Sequence, residues 1–443
     1  MKKGIVTLFV IIFSSIAANG QYLSKKIESL IEKAVKLNRF NGTVLVSKKG
    51  KIIYEKAYGY QYIEKNILNS PNTIYQIGSI TKEFTAAVVL KLIENHQLSL
   101  DEKLSNYFPD FVRGNEITIK HLLTHTSGIY EILRDPNAFN TGTQPRTKKQ
   151  MLSYFINKPL DFEPGTQYSY CNSGYMLLGL IIEKVTGNPY EQVVKDFILK
   201  PLGMKHTGFD FVGLQSSDKA LGYSKYTKTT KEASVPWDST ATYSAGSLYS
   251  TVEDLYRWHK GLLNYKIYNK ASLEKATTPF LEGYGLGCWI DLIYDKKVVS
   301  HGGNIFGFTG YFGRIQEEDV SIIILNNIFN RQIETIGHSI LAILYDKPYS
   351  FFDELNLTPT ILEKYVGEYE VNANYKVKII RIDNQLFIQT NNATLIEIFP
   401  YKENTFFQKD DDITIVFKGE KGAINKITIM EGLSTKSGGK IKQ

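Results

Sequence analysis

Period-two alternation occupies both ends of one long stretch of this chain and leaves its middle to helical spacing, and that constrains the fold most. GTVLVSKKGKIIYEKAYGY, residues 42–60, alternates as two strands about a Lys-Lys-Gly turn, the pattern of a hairpin. Strands return towards Ile328, in YGLGCWIDLIY, KKVVSHGG, GYFGRIQ and VSIIILNNI. Between them, apolar residues recur at helical spacing over Ser79–Asn95, in HLLTHTSGI, over Tyr168–Val185 and over Thr251–Leu263. A further amphipathic helix, carrying Leu23, Ile27, Leu30, Ile31 and Val35, precedes the hairpin. Strands at both ends with helices between predict an α+β domain whose single antiparallel sheet is assembled from distant parts of the chain.

The composition shifts near Lys347-Pro348. From Leu362 short alternating runs follow one another (YVGEYEV, YKVKIIRI, QLFIQT, FFQK, ITIVFKG, INKITIM), separated by turn signals such as Asp383-Asn384. This spacing predicts a small all-β barrel or sandwich. At the other end, MKKGIVTLFVIIFSSIAANGQ has two lysines, an apolar run and small residues before Gln21, as in a secretory leader. Its apolar run is about 15 residues, short of the roughly 20 a membrane span needs. The expected organisation is a leader at 1–20, an α+β domain at 21–347, a linker at 348–361, a barrel-like domain at 362–434 and a loose Lys/Gly/Ser-rich tail at 435–443. The mature chain is expected to be exported, periplasmic or extracellular, with no transmembrane segment.

The net charge of +7 is spread thinly over 443 residues with no Lys/Arg block, which argues against a nucleic-acid partner. Two cysteines, Cys171 and Cys288, do not make a disulfide scaffold, and a bridge between them is the minority expectation. His121 and His125 stand four apart, yet no glutamate completes a zinc-protease helix, so no metal is expected. Asp254 reads as part of a helix N-terminal box with Ser250 or Thr251.

Ser79 and Lys82, in GSITKEF, are the residues with chemistry in view. Ser-x-x-Lys recurs at Ser216/Lys219, Ser272/Lys275 and Ser437/Lys440, so spacing alone is weak. Context sets the first copy apart: Gly78 precedes it, and Phe84, Ala87, Val88 and Leu92 give the following helix a buried face. Residues three apart share a helix side, so the amine can reach the hydroxyl at the positive end of the helix dipole. Partial desolvation would lower the lysine pKa and let it take the serine proton. The competing reading, a capping serine and a solvated lysine, stays open on these residues alone.

NTIYQIGSITKEFTAAVVLKLIENHQLSLDEKLSNYFPDF, ITIKHLLTHTSGI, PGTQYSYCNSGYMLLG, AGSLYSTVEDLYRW and SHGGN follow in order. This series resembles the serine β-lactamase/penicillin-binding protein-like family, in its class C branch, over about Phe40 to Asn330. The resemblance implies the β-lactamase/DD-peptidase-like fold, with an antiparallel sheet flanked by helices plus an all-helical region. It implies Ser79 as nucleophile with Lys82, and Tyr170 and Asn172 of the Tyr-x-Asn motif as proton carrier and substrate-binding amide. Cys171 between them reads as a small buried filler. Tyr170, with cations around it, is expected to hold its proton loosely. The third motif departs from the family's Lys-Thr-Gly and reads His301-Gly302-Gly303. A histidine of ordinary pKa is charged about a quarter of the time at pH 7, a weak and pH-dependent carboxylate anchor. Gly303 lets substrate lie close, and the backbone N–H groups of Ser79 and Asn304 are expected to form the oxyanion hole.

The resemblance thus implies a cofactor-free serine hydrolase acting through an acyl-enzyme on a small-molecule or peptide substrate: a D-amino-acid peptide, cell-wall-derived peptides included, an ester or a β-lactam. His301 in place of lysine favours peptidase or esterase work over β-lactamase work. The C-terminal segment resembles the lipocalin-like appendage of some relatives. The alternative is a non-catalytic penicillin-binding or ligand-sensing protein that keeps the fold.

Overall fold

The computed structural model describes residues 20–330, 332–372, 375–391, 393–409, 413–420, 423–431 and 434–441; all but the last residue of the expected leader lies outside them. A first helix, α1, spans 20–36. The predicted hairpin forms as β1 (Gly42–Lys48) and β2 (Lys51–Ala57). The later strands are β3 (Trp289–Ile293), β4 (Lys296–Ile305), β5 (Phe308–Ile315) and β6 (Val320–Asn326). Together they make one antiparallel sheet in the order β2-β1-β6-β5-β4-β3. β1 pairs with β6 from Gly42↔Asn326 to Ser47↔Ser321, which joins the two ends of the pattern. β5 and β6 are buried at every residue, whereas β2 exposes one face. Interior strands covered on both faces lose their alternation and read as apolar runs, as VSIIILN does.

Helix α2 (Thr81–Glu94) sits in the core with Phe84 stacked on Trp258, ring centroids 4.5 Å apart. Glu83, the residue after Lys82, pairs with buried Arg314 of β5 at 2.7 Å and accepts from Trp258 Nε1. Helix α3 (Ile119–Leu123) is short. Helix α4 (Asn172–Thr186) starts four residues later than its periodicity predicts. The reason is a contact from elsewhere in the chain: the Ser169 and Cys171 N–H groups donate to the carbonyl oxygen and Nδ1 of His125, which holds this stretch extended. Helix α5 (Val252–Leu263) is capped by Thr251, whose hydroxyl accepts from the Asp254 N–H. The Asp254 carboxylate accepts from His206 N and Thr207 Oγ1, a structural role.

Two compact units are present. The one holding the six-stranded sheet comprises 41–223 and 233–329 together with 20–27. The other comprises 28–40, 224–232 and the chain from Asn330 onward, and it includes a closed eight-stranded antiparallel barrel. The barrel strands are β7 (Gly367–Asn372), β8 (Tyr375–Ile382), β9 (Gln385–Thr390), β10 (Ile396–Lys402), β11 (Thr405–Phe407), β12 (Ile413–Glu420), β13 (Ala423–Glu431) and β14 (Ser434–Lys440). β14 pairs with β13 and with β7, so the expected loose tail is instead the closing strand. Ladder bonds use only backbone, and a Gly/Ser/Lys segment supplies them as well as any other. The barrel is filled by its own side chains, among them Tyr369, Leu386, Phe406, Phe417 and Ile427.

Among the described residues no helix is long and apolar enough to cross a membrane. Cys171 and Cys288 are both buried free thiols; Cys171 Sγ donates to the Ile129 carbonyl at 3.2 Å.

Candidate active site

Gly78 takes φ +51°, and a Cβ on it would stand 2.9 Å from the Asn304 backbone nitrogen. Glycine is therefore what lets β4 approach this turn. Gly78–Ile80 form a 3-10 turn that runs directly into α2. From Thr73 to Leu90 every residue is buried except Ser79. Ser79 caps nothing: neither turn nor helix has a side-chain cap, and Lys82 Nζ donates to Ser79 Oγ at 3.0 Å. The capping alternative left open by the sequence is set aside.

Lys82 is fully buried, and its Nζ also donates to Asn172 Oδ1 at 2.8 Å and to the Ala245 carbonyl at 2.7 Å. Both partners are acceptors, so two of the amine's protons are committed to them. The remaining direction faces Ser79. A protonated amine donates there; a neutral one presents its lone pair to the hydroxyl. Burial draws the Lys82 pKa from 10.5 down to about 7, against an upward pull led by Glu131. A base poised near the working pH is the efficient kind.

Tyr170 lies beside this pair, with Lys82 Nζ 4.8 Å from its ring centroid. The loosely held proton expected of it is corrected: burial pushes this phenol well up, and the neighbouring Ser79 draws it only partly back. Lys82 rather than Tyr170 is the group able to start a reaction as base, and Tyr170 enters as an acid.

His301 is also corrected. It is 2 % exposed, and both ring nitrogens are engaged: Nδ1 with the Gly302 carbonyl at 2.6 Å and Nε2 with the Tyr284 hydroxyl at 3.0 Å. A carbonyl only accepts, so Nδ1 carries the proton and Nε2 accepts from Tyr284. Burial and the nearby Lys82 charge bring the His301 pKa down to about 3. It is neutral at working pH and supplies no charge for a substrate carboxylate. Further along β4, a Cβ on Gly303 would stand 1.9 Å from the Ile77 carbonyl oxygen, so strand and nucleophile turn touch backbone to backbone. Asn304, exposed next to Gly78, is where the expected second oxyanion donor belongs.

His121 and His125 do not share a helix face. His125 lies beyond α3 at φ +57°, buried, with Nδ1 accepting from Cys171. Three groups at the site escaped sequence reasoning: the Ala245 carbonyl, Tyr284, and Glu131, which accepts from Asn172 Nδ2 at 2.9 Å. No local pattern in one sequence marks any of them.

The arrangement sets a hydroxyl beside a buried amine of lowered pKa, with a protonated phenol near the amine, and comparison with known proteins gives the family. The family description Beta-lactamase matches residues 27–342. The putative penicillin-binding protein PbpX of Bacillus subtilis (strain 168) is 32% identical over 293 residues, covering 66% of this chain and 71% of that protein. Among solved structures, the octameric penicillin-binding protein homologue from Pyrococcus abyssi is 28% identical with TM-score 0.68, over 93% of this chain and 99% of that one. The D-stereospecific amidohydrolase from Streptomyces sp. is 26% identical with TM-score 0.59, over 70% of this chain and 94% of that one. With its fold, its motif order and its matched span in agreement, this chain belongs to the beta-lactamase family of serine hydrolases.

Proposed function

We propose that this chain is an exported serine hydrolase that forms an acyl-enzyme at Ser79 on small amide or ester substrates. Amidase, peptidase or esterase action ranks ahead of β-lactam hydrolysis. The observation that carries the reading is the buried Lys82 amine, with two directions occupied by acceptors and the third turned to Ser79. Neutral Lys82 takes the Ser79 proton as Oγ attacks the carbonyl carbon. The Ser79 and Asn304 N–H groups receive the developing oxyanion. Tyr170 gives its proton to the leaving nitrogen or oxygen and regains one from the Lys82 ammonium. Water then releases the acyl group by the same relay.

The ranking of substrates rests on charge. A β-lactam or a peptide C-terminus presents a carboxylate, and the strand position that would hold a permanent cation has neutral His301. The amidohydrolase likeness supports the same ranking. Export rests on the leader-like first twenty residues. Turnover of p-nitrophenyl acetate, D-alanine p-nitroanilide and nitrocefin by wild type and Ser79→Ala tests the reading. Ester or anilide hydrolysis lost in Ser79→Ala is expected. Activity on none of the three would favour a binding protein, and nitrocefin as the best substrate would overturn the ranking.

A further inference from the structure

Glu131 lies on the loop after Ser127-Gly128, far in sequence from Ser79, Lys82 and Asn172, yet it takes three bonds at the centre of the site. Oε1 accepts from Asn172 Nδ2 at 2.9 Å and from Leu133 N at 3.1 Å, and Oε2 accepts from the Asn172 backbone N–H. Asn172 is the first residue of α4, whose N-cap Cys171 contributes no side-chain bond. A carboxylate from another segment thus meets the positive end of that helix.

The Asn172 amide can turn either edge towards Lys82. A carboxylate only accepts, so Glu131 obliges Asn172 to offer it the Nδ2 edge, which leaves Oδ1 for Lys82 Nζ. Building on the acyl-enzyme reading above, we propose that Glu131 is a positioning residue: it fixes the direction of the Asn172 amide and supplies, through that amide, the counter-charge that the Lys82 amine faces.

The other groups facing Lys82 do not replace that charge. From its own turn comes the Ser79 hydroxyl; from the segment before α4 come the Tyr170 phenol and the Cys171 thiol, and from α4 the Tyr175 ring, whose centroid is 5.4 Å away. Burial keeps all three of these acidic groups protonated. His125 and His301, each with its pKa lowered by burial, are neutral, and Ala245 offers a carbonyl. Glu131 is the partner that raises Lys82 most against the effect of burial.

The test reads Lys82 directly and needs no turnover. Protein carrying ε-¹³C lysine is titrated by NMR, with the Lys82 resonance assigned by its disappearance in Lys82→Arg. Glu131→Gln is expected to move the Lys82 midpoint about one pH unit lower, as loss of a nearby opposite charge should. Glu131→Asp, which keeps the charge, is expected to stay much nearer wild type. A Glu131→Gln midpoint equal to wild type would overturn the proposal, as would an Asp variant that falls as far as the Gln variant. Should Glu131→Gln not fold, Glu131→Ala takes its place in the same titration, with the same lowered midpoint expected and a midpoint equal to wild type overturning the proposal. Absence of acylation in wild type would count against the acyl-enzyme reading and leave these outcomes meaningful.

Discussion

The two cores of this molecule are equally well buried and differently made. The barrel's hydrophobic cluster includes two tyrosines whose hydroxyls are satisfied: Tyr369 donates to the Tyr365 carbonyl and Tyr365 to Asn404 Oδ1. The core around α2 holds Lys82, Glu83, His125, His301 and Arg314, every one of them less than 6 % exposed. An apolar core gains stability from each residue it covers, whereas buried charge is costly unless paired and bonded. Glu83 and Arg314 answer that cost by pairing with each other. Lys82 answers it by giving up its proton near neutral pH, so the same burial that strains the core makes a base. The proposed chemistry thus draws on buried polarity, which the barrel's hydrophobic cluster does without.

The contrast can be broken at several points. The largest effect is expected at Lys82. Lys82→Met should slow acylation of Ser79 by a fluorophosphonate about 10³-fold, the general-base contribution. A loss under tenfold would mean that the amine is a structural bystander. Gly303→Ala comes next. Its Cβ would fall 1.9 Å from the Ile77 oxygen and push β4 off the nucleophile turn. Misplacement by about 1 Å should lower acylation about 10²-fold with the fold intact by circular dichroism. The pH dependence is a third measure. A lysine titrating at about 7 is mostly charged at pH 6 and mostly neutral at pH 8, so the acylation rate should rise about tenfold over that interval. It should show no separate step near 6.5 from His301, which titrates at about 3. The smallest effect on acylation belongs to the barrel. Phe417→Ala should cost about 3–5 kcal/mol in chemical denaturation and leave the acylation rate within about twofold under folding conditions.

Much of this was legible in the sequence, for reasons that also explain what was not. Strands and helices followed from periodicity, since GTVLVSK and VSIIILN carry their burial in their own residues. Ser79 and Lys82 could be picked from four copies of the same spacing because Gly78 and the apolar face after it are local. The start of α4 could not be read, because bonds from the Ser169 and Cys171 N–H groups to His125, more than forty residues earlier, hold the preceding stretch extended. The neutrality of His301 depends first on burial and then on the closeness of the Lys82 charge, both of which exist only in the folded chain. Glu131 reaches Asn172 across about forty residues of chain, and that contact exists only after folding. The closing strand Ser434–Lys440 looked like a tail because its Lys/Gly/Ser composition has no apolar alternation, while its pairing with β7 and β13 runs through backbone.

The account stands on one transfer, from the Ser79 hydroxyl to the Lys82 amine. Its most direct measurement is mass-spectrometric mapping of a fluorophosphonate adduct on the purified protein between pH 5 and 9. The expected result is a single modified peptide containing Ser79, absent in Ser79→Ala, whose rate of formation climbs with a midpoint close to pH 7. An adduct on another residue, or a Ser79 adduct that forms at the same rate across the whole range, would contradict it.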